Sequence, residues 1–297
     1  MSRSGLVCAS LGGRGEGADV EDYETLLYEE REGVAIVTLN RPEVHNAFNL
    51  AMQHELRDLW GSLRTNDDIR VVVLTGAGEE AFCSGIDREE SIQRGYLDRA
   101  EDEEPQAGRS GLVSTPFMYN DPGANINPKQ NDMWKPVIAA VNGIACGGAL
   151  YMLGEADIII AAEHATFFDP HVSYGLVAAF ESMHLLQKLP LGETLRVALL
   201  GANERMSAER AYQLGLVSEI APAGELLDRA LWVADAIAEA PVLAIQGTVR
   251  AIWMAHELSR RDALAQVSNY VTLGTRLENV EAGQQAFKAP RRKWRLR

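Results

Sequence analysis

Short runs of branched apolar residues alternate with longer stretches in which apolar residues return every three or four positions, a pattern that predicts strands interleaved with helices. Thr25-Leu26-Leu27-Tyr28-Glu29 and Val34-Ala35-Ile36-Val37-Thr38-Leu39 flank the turn-prone Glu30 to Gly33 and read as a hairpin. Arg41-Pro42 ends it, because proline cannot donate to a ladder. Met52, Leu56, Leu59, Trp60 and Leu63 share one face of a helix, and Val71 to Thr75 returns as a strand. Pro136 to Val141 and Asp157 to Ala162 repeat the strand signal, with a helix over Ala149 to Glu155 between them and a shorter strand at Thr166-Phe167-Phe168. Strand, helix and strand in that order require crossover connections, hence a largely parallel sheet of an α/β protein. From Glu181 onward the pattern is almost all helical. Ser207 suits an N-cap and Gly215 a C′ residue for one helix, and Leu226, Leu227, Ala230, Leu231, Ala234, Ile237 and Ala238 form an apolar face of another.

Two stretches break the pattern. Residues 1–19, rich in Gly and Ser, read as a disordered tail. Arg88 to Trp134 begins charged and helix-compatible, then passes through the turn-rich Asn120 to Pro128. A segment this long is more often functional than idle, and two uses stand open for it: a wall of a substrate pocket, or an assembly surface. No Pro/Gly/Ser-rich linker divides the remainder, so one α/β core over 20–205 is expected, followed by a helical part over 206–297.

Bulk properties narrow the function classes. A net charge of −14 argues against a nucleic-acid surface, which needs a basic stripe. Cys8, Cys83 and Cys146 are too few and too irregularly placed for a disulfide framework or a zinc site, and fit a reducing, cytoplasmic setting. His54, His184 and His256 sit in helical patterns without ligand spacing, so no metal site is assigned. There is neither an apolar run of membrane-spanning length nor the basic-then-apolar order of a signal peptide.

The chemistry concentrates in two glycine-bearing segments, Ala81-Phe82-Cys83-Ser84-Gly85-Ile86-Asp87 and Val141-Asn142-Gly143-Ile144-Ala145-Cys146-Gly147-Gly148-Ala149, each following a strand-like run. Strand-to-loop junctions leave backbone N–H groups unpaired, and two such groups converging on a point form an oxyanion hole. Glycine allows the close approach this needs. Taken singly, the Gly147-Gly148 pair is equally a tight turn opening a packed helix.

Four motifs in order, Asn40-Arg41-Pro42-Glu43-Val44-His45-Asn46-Ala47, Phe82 to Asp87, Lys135 to Gly143 and Ala208 to Val217, resemble the crotonase (enoyl-CoA hydratase/isomerase) superfamily from about Tyr23 to the C-terminus. The resemblance implies a ββα spiral core with a C-terminal helical trimerisation part, assembled as a homotrimer or hexamer. It implies a coenzyme A thioester as substrate, with no bound prosthetic group, and makes the amides of Ile86 and Gly148 the two donors to the thioester oxygen. His45, Asn46, Ala47, Cys83, Ser84 and Gly85 would lie along the pantetheine and adenine, largely through backbone atoms. Lys288, Arg291, Arg292 and Lys293 are candidates for the CoA phosphates.

The chain departs from the hydratase pattern where acid and base should stand. The two glutamates of that pattern are replaced by Tyr151 and, after Asp169-Pro170, by His171; the aspartate some relatives carry is replaced by Ala179. Hydrolase- or isomerase-type chemistry is therefore favoured over plain hydration. A hydratase using other acid/base residues and a non-catalytic acyl-CoA binder remain as alternatives. His171 is the best replacement, since imidazole titrates near neutrality, the other reading being a hydrogen-bonded core histidine. Glu181, ten residues on, either lies at the pocket beside His171 or is a carboxylate favoured at a helix start. Tyr151 either faces the core or turns its hydroxyl into the pocket. Cys83 and Cys146 read as small packing residues.

Overall fold

The computed structural model describes residues 23–93, 111–112, 119–222, 224–287 and 295–296. The expected tail at 1–19, the middle of the 88–134 segment and the four basic candidates for CoA phosphates lie outside the described residues. In chain order the strands are β1 (Leu26–Arg31), β2 (Val34–Leu39), β3 (Val71–Gly76), β4 (Ala81–Cys83), β5 (Gly111–Leu112), β6 (Tyr119–Asn120), β7 (Val137–Val141), β8 (Ile144–Cys146), β9 (Ile158–Ala162), β10 (Thr166–Phe168), β11 (Met206–Ser207) and β12 (Glu219–Ala221). The helices are α1 (Leu50–Thr65), α2 (Arg88–Gln93), α3 (Gly123–Ile126), α4 (Ala149–Glu155), α5 (Phe180–Leu186), α6 (Leu191–Leu200), α7 (Ala208–Leu214), α8 (Leu226–Ala238), α9 (Val242–Glu257), α10 (Arg260–Gly274) and α11 (Leu277–Phe287).

The expected hairpin is antiparallel β1–β2, and from β2 onward the main sheet is parallel, in the order β1-β2-β3-β7-β9-β12. Its central strands are apolar throughout because both faces are covered. Val72 and Leu74 of β3 face one core cluster with α1 and α4, while Val71 and Val73 face a second cluster with α8, the two-residue alternation of a strand sorting them.

Three consecutive strand pairs repeat one unit. β3, β7 and β9 each lie in the main sheet; the strands that follow them, β4, β8 and β10, step into a second sheet of order β11-β10-β8-β4. A helix or helical turn then springs from each: α2 after β4, α4 after β8, and a 3-10 turn over His171–Tyr174 after β10. This is the ββα spiral of a crotonase-like fold. Because β4, β8 and β10 run parallel as neighbours, their C-terminal ends lie side by side.

Helix α7 has the caps read from sequence: Ser207 Oγ accepts from Arg210 N–H, and Gly215 is left-handed. The boundary expected at 205/206 falls inside the sheets, since β11 pairs with β10, β12 pairs with β9, and α8 packs on the second core cluster. The helical part that follows the sheets is α9 to α11, with α10 against α9. No single helix among the described residues is long and apolar enough to cross a membrane.

The corner between β3 and β4 is clamped by Asn46, whose left-handed backbone (φ 55) suits asparagine. Its buried amide donates to the carbonyls of Ala77 (3.0 Å) and Ala81 (2.8 Å) and accepts from Arg41 N–H (3.0 Å). Replacing Asn46 with Ala strands these groups and is expected to lower unfolding free energy by about 2 kcal/mol or more in urea denaturation. A loss below about 0.5 kcal/mol would show that the clamp contributes nothing.

Candidate active site

The loop after β4 and the loop after β8 touch. Gly85 is left-handed (φ 91), and a Cβ placed there would stand 3.0 Å from both the Cys146 carbonyl oxygen and the Gly148 nitrogen. Glycine is thus demanded twice at one position, by conformation and by contact. Phe48 N–H donates to the Gly85 carbonyl and Asp87 N–H to the Phe48 carbonyl, each at 2.9 Å, which makes Phe48 and Ile86 an isolated parallel bridge. In such a bridge the peptide groups of Ile86 itself point away from Phe48. Neither the Ile86 nor the Gly148 amide donates to a protein acceptor among the described residues.

The segments expected along the CoA are brought together at this edge. Ser84 N–H donates to the His45 carbonyl (3.0 Å), and Arg41 Nη1 ties the Ala47 carbonyl (2.6 Å) to the Asp87 carboxylate (2.9 Å). The Asn46 and Cys83 side chains are buried, so backbone is what these two residues can offer a ligand. Burial pushes the Cys83 and Cys146 thiols up to about 12, which makes them packing groups rather than nucleophiles.

The third strand end supplies the titrating groups. His171 opens the 3-10 turn, with its Cε1 3.8 Å from where a Cβ on Gly147 would stand. Its Nδ1 lies 2.5 Å from Asp169 Oδ1, and its Nε2 lies 3.6 Å from Glu181 Oε1 in the first turn of α5. Asp169 and Glu181 are buried and His171 is half-buried. The hydrogen bond it donates to Asp169 holds the imidazole above the usual histidine range, opposed by burial and aided by the Glu181 charge. Burial holds the Glu181 carboxyl above the usual range, opposed by His171. Asp169, His171 and Glu181 lie close enough to suggest a metal cluster, but the carboxylates meet opposite ring nitrogens, the geometry of a hydrogen-bonded imidazole.

Tyr151 is both core and site. Its ring packs edge-on to His184 at 5.5 Å and would touch a Cβ on Gly148 at 3.4 Å, while its hydroxyl donates to Asp121 Oδ2 at 3.0 Å. Burial and the charges of Glu181 and Asp121 raise the phenol, so it stays protonated. Asp121 is fixed by Gly123 N–H (2.7 Å), and the stretch that carries it is pinned by Trp60 Nε1 donating to the Ile126 carbonyl (2.9 Å). The later part of the 88–134 segment therefore forms a wall against Tyr151.

Two members of this group were not among the residues singled out from sequence. Asp169 had a local signal, an Asp-Pro dipeptide whose carboxylate accepts from the backbone N–H two residues on at 3.1 Å. Asp121 had the same local signal, Asp121-Pro122 with Gly123 N–H donating to its carboxylate at 2.7 Å, but nothing local pointed to its partner Tyr151, thirty residues away.

Residues 29–296 match the enoyl-CoA hydratase/isomerase family. The chain is 34% identical over 263 residues to (E)-benzylidenesuccinyl-CoA hydratase of Thauera aromatica, covering 86% of this chain and 91% of that protein. It is 35% identical over 202 residues to a probable enoyl-CoA hydratase of Rhodobacter capsulatus, covering 67% and 70%. The crystal structure of an enoyl-CoA hydratase/isomerase from Mycobacterium paratuberculosis superimposes with a TM-score of 0.78 at 37% identity, covering 90% of this chain and 96% of that one. The chain belongs to the enoyl-CoA hydratase/isomerase family of the crotonase superfamily. It is an acyl-CoA enzyme.

The fit around Gly148 can be tested without any substrate. A Cβ there would lie 2.5 Å from Phe48 Cζ, so Gly148→Ala is expected to lower stability by about 1 to 3 kcal/mol, relieved in part by Phe48→Leu in the same chain. Additive effects of the two changes in denaturant melts would contradict the contact.

Proposed function

We propose that this enzyme adds water reversibly across the carbon–carbon double bond of an α,β-unsaturated acyl-CoA, with His171 and Glu181 as the proton carriers. The observation that carries this reading is the 3.6 Å approach of His171 Nε2 to Glu181 Oε1 beside the second glycine loop. Loss of both hydratase glutamates taken alone favours hydrolase or isomerase chemistry, but two titrating groups this close supply a base and an acid from other residues. One water can reach both at ordinary hydrogen-bond distance.

In this reading the amides of Ile86 and Gly148 hold the thioester oxygen, and their donors are worth most when that oxygen becomes an enolate. Water oxygen bonds to Cβ as one of its protons passes to Nε2; Cα takes the proton of the Glu181 carboxyl. The imidazolium and carboxylate left behind restore themselves by passing one proton from Nε2 to Oε1. With the two carriers 3.6 Å apart, this reading delivers the water oxygen and the proton to one face of the double bond, a syn addition. The chain's own groups and the CoA ester suffice for every step.

Isomerisation is the second reading, favoured by Tyr151. Its hydroxyl, at the position of one missing glutamate, is engaged with Asp121, which leaves proton carriers at one place only. A single such place is enough to move a proton between Cα and Cγ. The alternatives separate in one assay series. Hydration converts a 2-enoyl-CoA to its 3-hydroxyacyl-CoA and removes the conjugated absorbance; isomerisation converts a 3-enoyl-CoA to the conjugated 2-enoyl form. Turnover of neither substrate, with intact binding, would leave a silent acyl-CoA binder.

Several large apolar side chains on α5 and α6 are exposed, Met183 and Leu199 each 64% and Leu191 62%, as are Leu273 and Leu277 on α10 and α11. Such surface supports assembly of further copies as a trimer or hexamer. The buried free thiols Cys83 and Cys146 fit a reducing cytoplasm.

His171→Gln and Glu181→Gln are each expected to lower kcat by about 10²- to 10⁴-fold. With both groups shifted upward and one proton shared between them, the wild-type rate follows a bell: it falls at low pH as the pair takes a second proton and at high pH as it loses its last. The alkaline limb is expected above the ordinary histidine value of 6.5. Turnover unchanged in either variant, or an alkaline limb below that value, contradicts the assignment.

A further inference from the structure

Asp169 is placed where β10 ends and the 3-10 turn of His171 begins, and it is completely buried. Its Oδ1 accepts from the backbone N–H of His171 at 3.1 Å and meets the ring Nδ1 of the same residue at 2.5 Å. Its Oδ2 is buried without a hydrogen-bond partner among the described residues. One oxygen thus grips a single histidine at two points, while the other receives nothing.

An Asx turn accounts for the backbone bond but not for the ring contact or for the buried second oxygen. Burying a carboxylate is strongly unfavourable unless another group compensates it. The described groups around it are of the wrong sign or neutral, with one exception. Glu181 faces the far side of the imidazole, Tyr151 and Asp121 stand behind Glu181, and the Cys146 thiol is held protonated by burial. Arg205 is stacked on the Phe168 ring at 4.6 Å rather than paired with the carboxylate. Among the described residues, the His171 backbone N–H and ring Nδ1 are the groups that hydrogen-bond the Asp169 carboxylate.

The consequence for the ring follows from donor and acceptor inventory. An ionised carboxylate only accepts, so the ring nitrogen it meets must carry a proton. With Nδ1–H fixed, Nε2 is the nitrogen that gains and loses a proton, and it is Nε2 that faces Glu181. We propose that Asp169 is a positioning residue for the proton-transfer chemistry: its buried carboxylate locks His171 as the Nδ1–H tautomer and aims Nε2 at Glu181 and the acyl chain. This rests on the reading of His171 as a proton carrier. Carboxylates that fix a functional imidazole in this way recur in metal and hydrolytic sites, where their loss leaves geometry largely intact and activity low.

Asp169→Asn tests it, because the amide oxygen can still accept from both N–H groups while the charge is gone. The expected result is a fall in kcat of about 10- to 100-fold with KM little changed, a fall in the His171 titration midpoint seen by NMR, and a matching acid shift of the alkaline limb of the pH–rate profile. A kcat loss without any movement of the midpoint or the profile overturns the proposal and leaves Asp169 a structural turn residue. Should Asp169→Asn fail to fold, the ¹⁵N spectrum of wild-type His171 above its midpoint decides: protonated Nδ1 with bare Nε2 supports the lock, and the reverse tautomer overturns it. His171→Gln keeps the two ideas apart. If that variant turns over normally, the assignment of His171 as proton carrier fails, while the tautomer measured in wild-type protein still reports on Asp169 by itself.

Discussion

The site depends on one constraint of the backbone, the parallel pairing of β4, β8 and β10 in the second sheet. These strands belong to three successive turns of the spiral and are separated by about sixty and twenty residues of sequence. Pairing them in parallel register places their C-terminal ends together, and the candidate oxyanion and proton-carrying groups other than Asp121 and Glu181 come from one of those ends or the turn just beyond. Gly85 and Ile86 follow β4; Gly147, Gly148 and Tyr151 follow β8; Asp169 and His171 follow β10. The ends of parallel strands are where open α/β sheets collect their ligands. Here the spiral brings three of them to one edge.

Contact at that edge leaves little freedom. Gly85 is held against Cys146 and Gly148, Gly148 against Phe48, and Phe48 is tied back to Gly85 by its own amide, a closed loop of contacts from two segments and the turn that precedes α1. Asn46 fixes that turn to the corner between β3 and β4. The energetic tension lies in the acidic groups. Asp169, Glu181 and Asp121 all gather within the same neighbourhood, and among the described residues His171 is the ionisable base that stands between two of them. The groups are raised for different reasons: His171 first by its hydrogen bond to Asp169, Glu181 first by burial with the Asp169 and Asp121 charges adding to it, and Asp121 by burial alone, against its bonds from Gly123 and Tyr151.

Much of this was legible in the chain. Alternating residues gave the hairpin and the buried strands, because the period of a strand is set by the pleat. The five-residue apolar stripe of α1 and the caps of α7 were equally local, written within a single element. Both glycine segments were visible, and so were His171 and Glu181 as a pair. What escaped is non-local or depends on more than pattern. Asp121 reaches Tyr151 only because Trp60 and α3 fold the intervening stretch against α1. β11 and β12 are two- and three-residue strands, too short for a periodic signal, so the core was expected to end before them. Asp169 was visible as an Asp-Pro dipeptide, but that it meets Nδ1 of His171 while Glu181 faces Nε2 is decided by how the turn after β10 packs against α5.

A crystal structure with a bound 3-hydroxyacyl-CoA tests the central claim most directly, because it records both halves of the site at once. The account predicts the thioester oxygen within hydrogen-bond distance of the Ile86 and Gly148 amides, and the 3-hydroxyl within reach of both His171 Nε2 and Glu181. A thioester seated away from those amides, or an acyl chain whose reacting carbons face neither His171 nor Glu181, would contradict it.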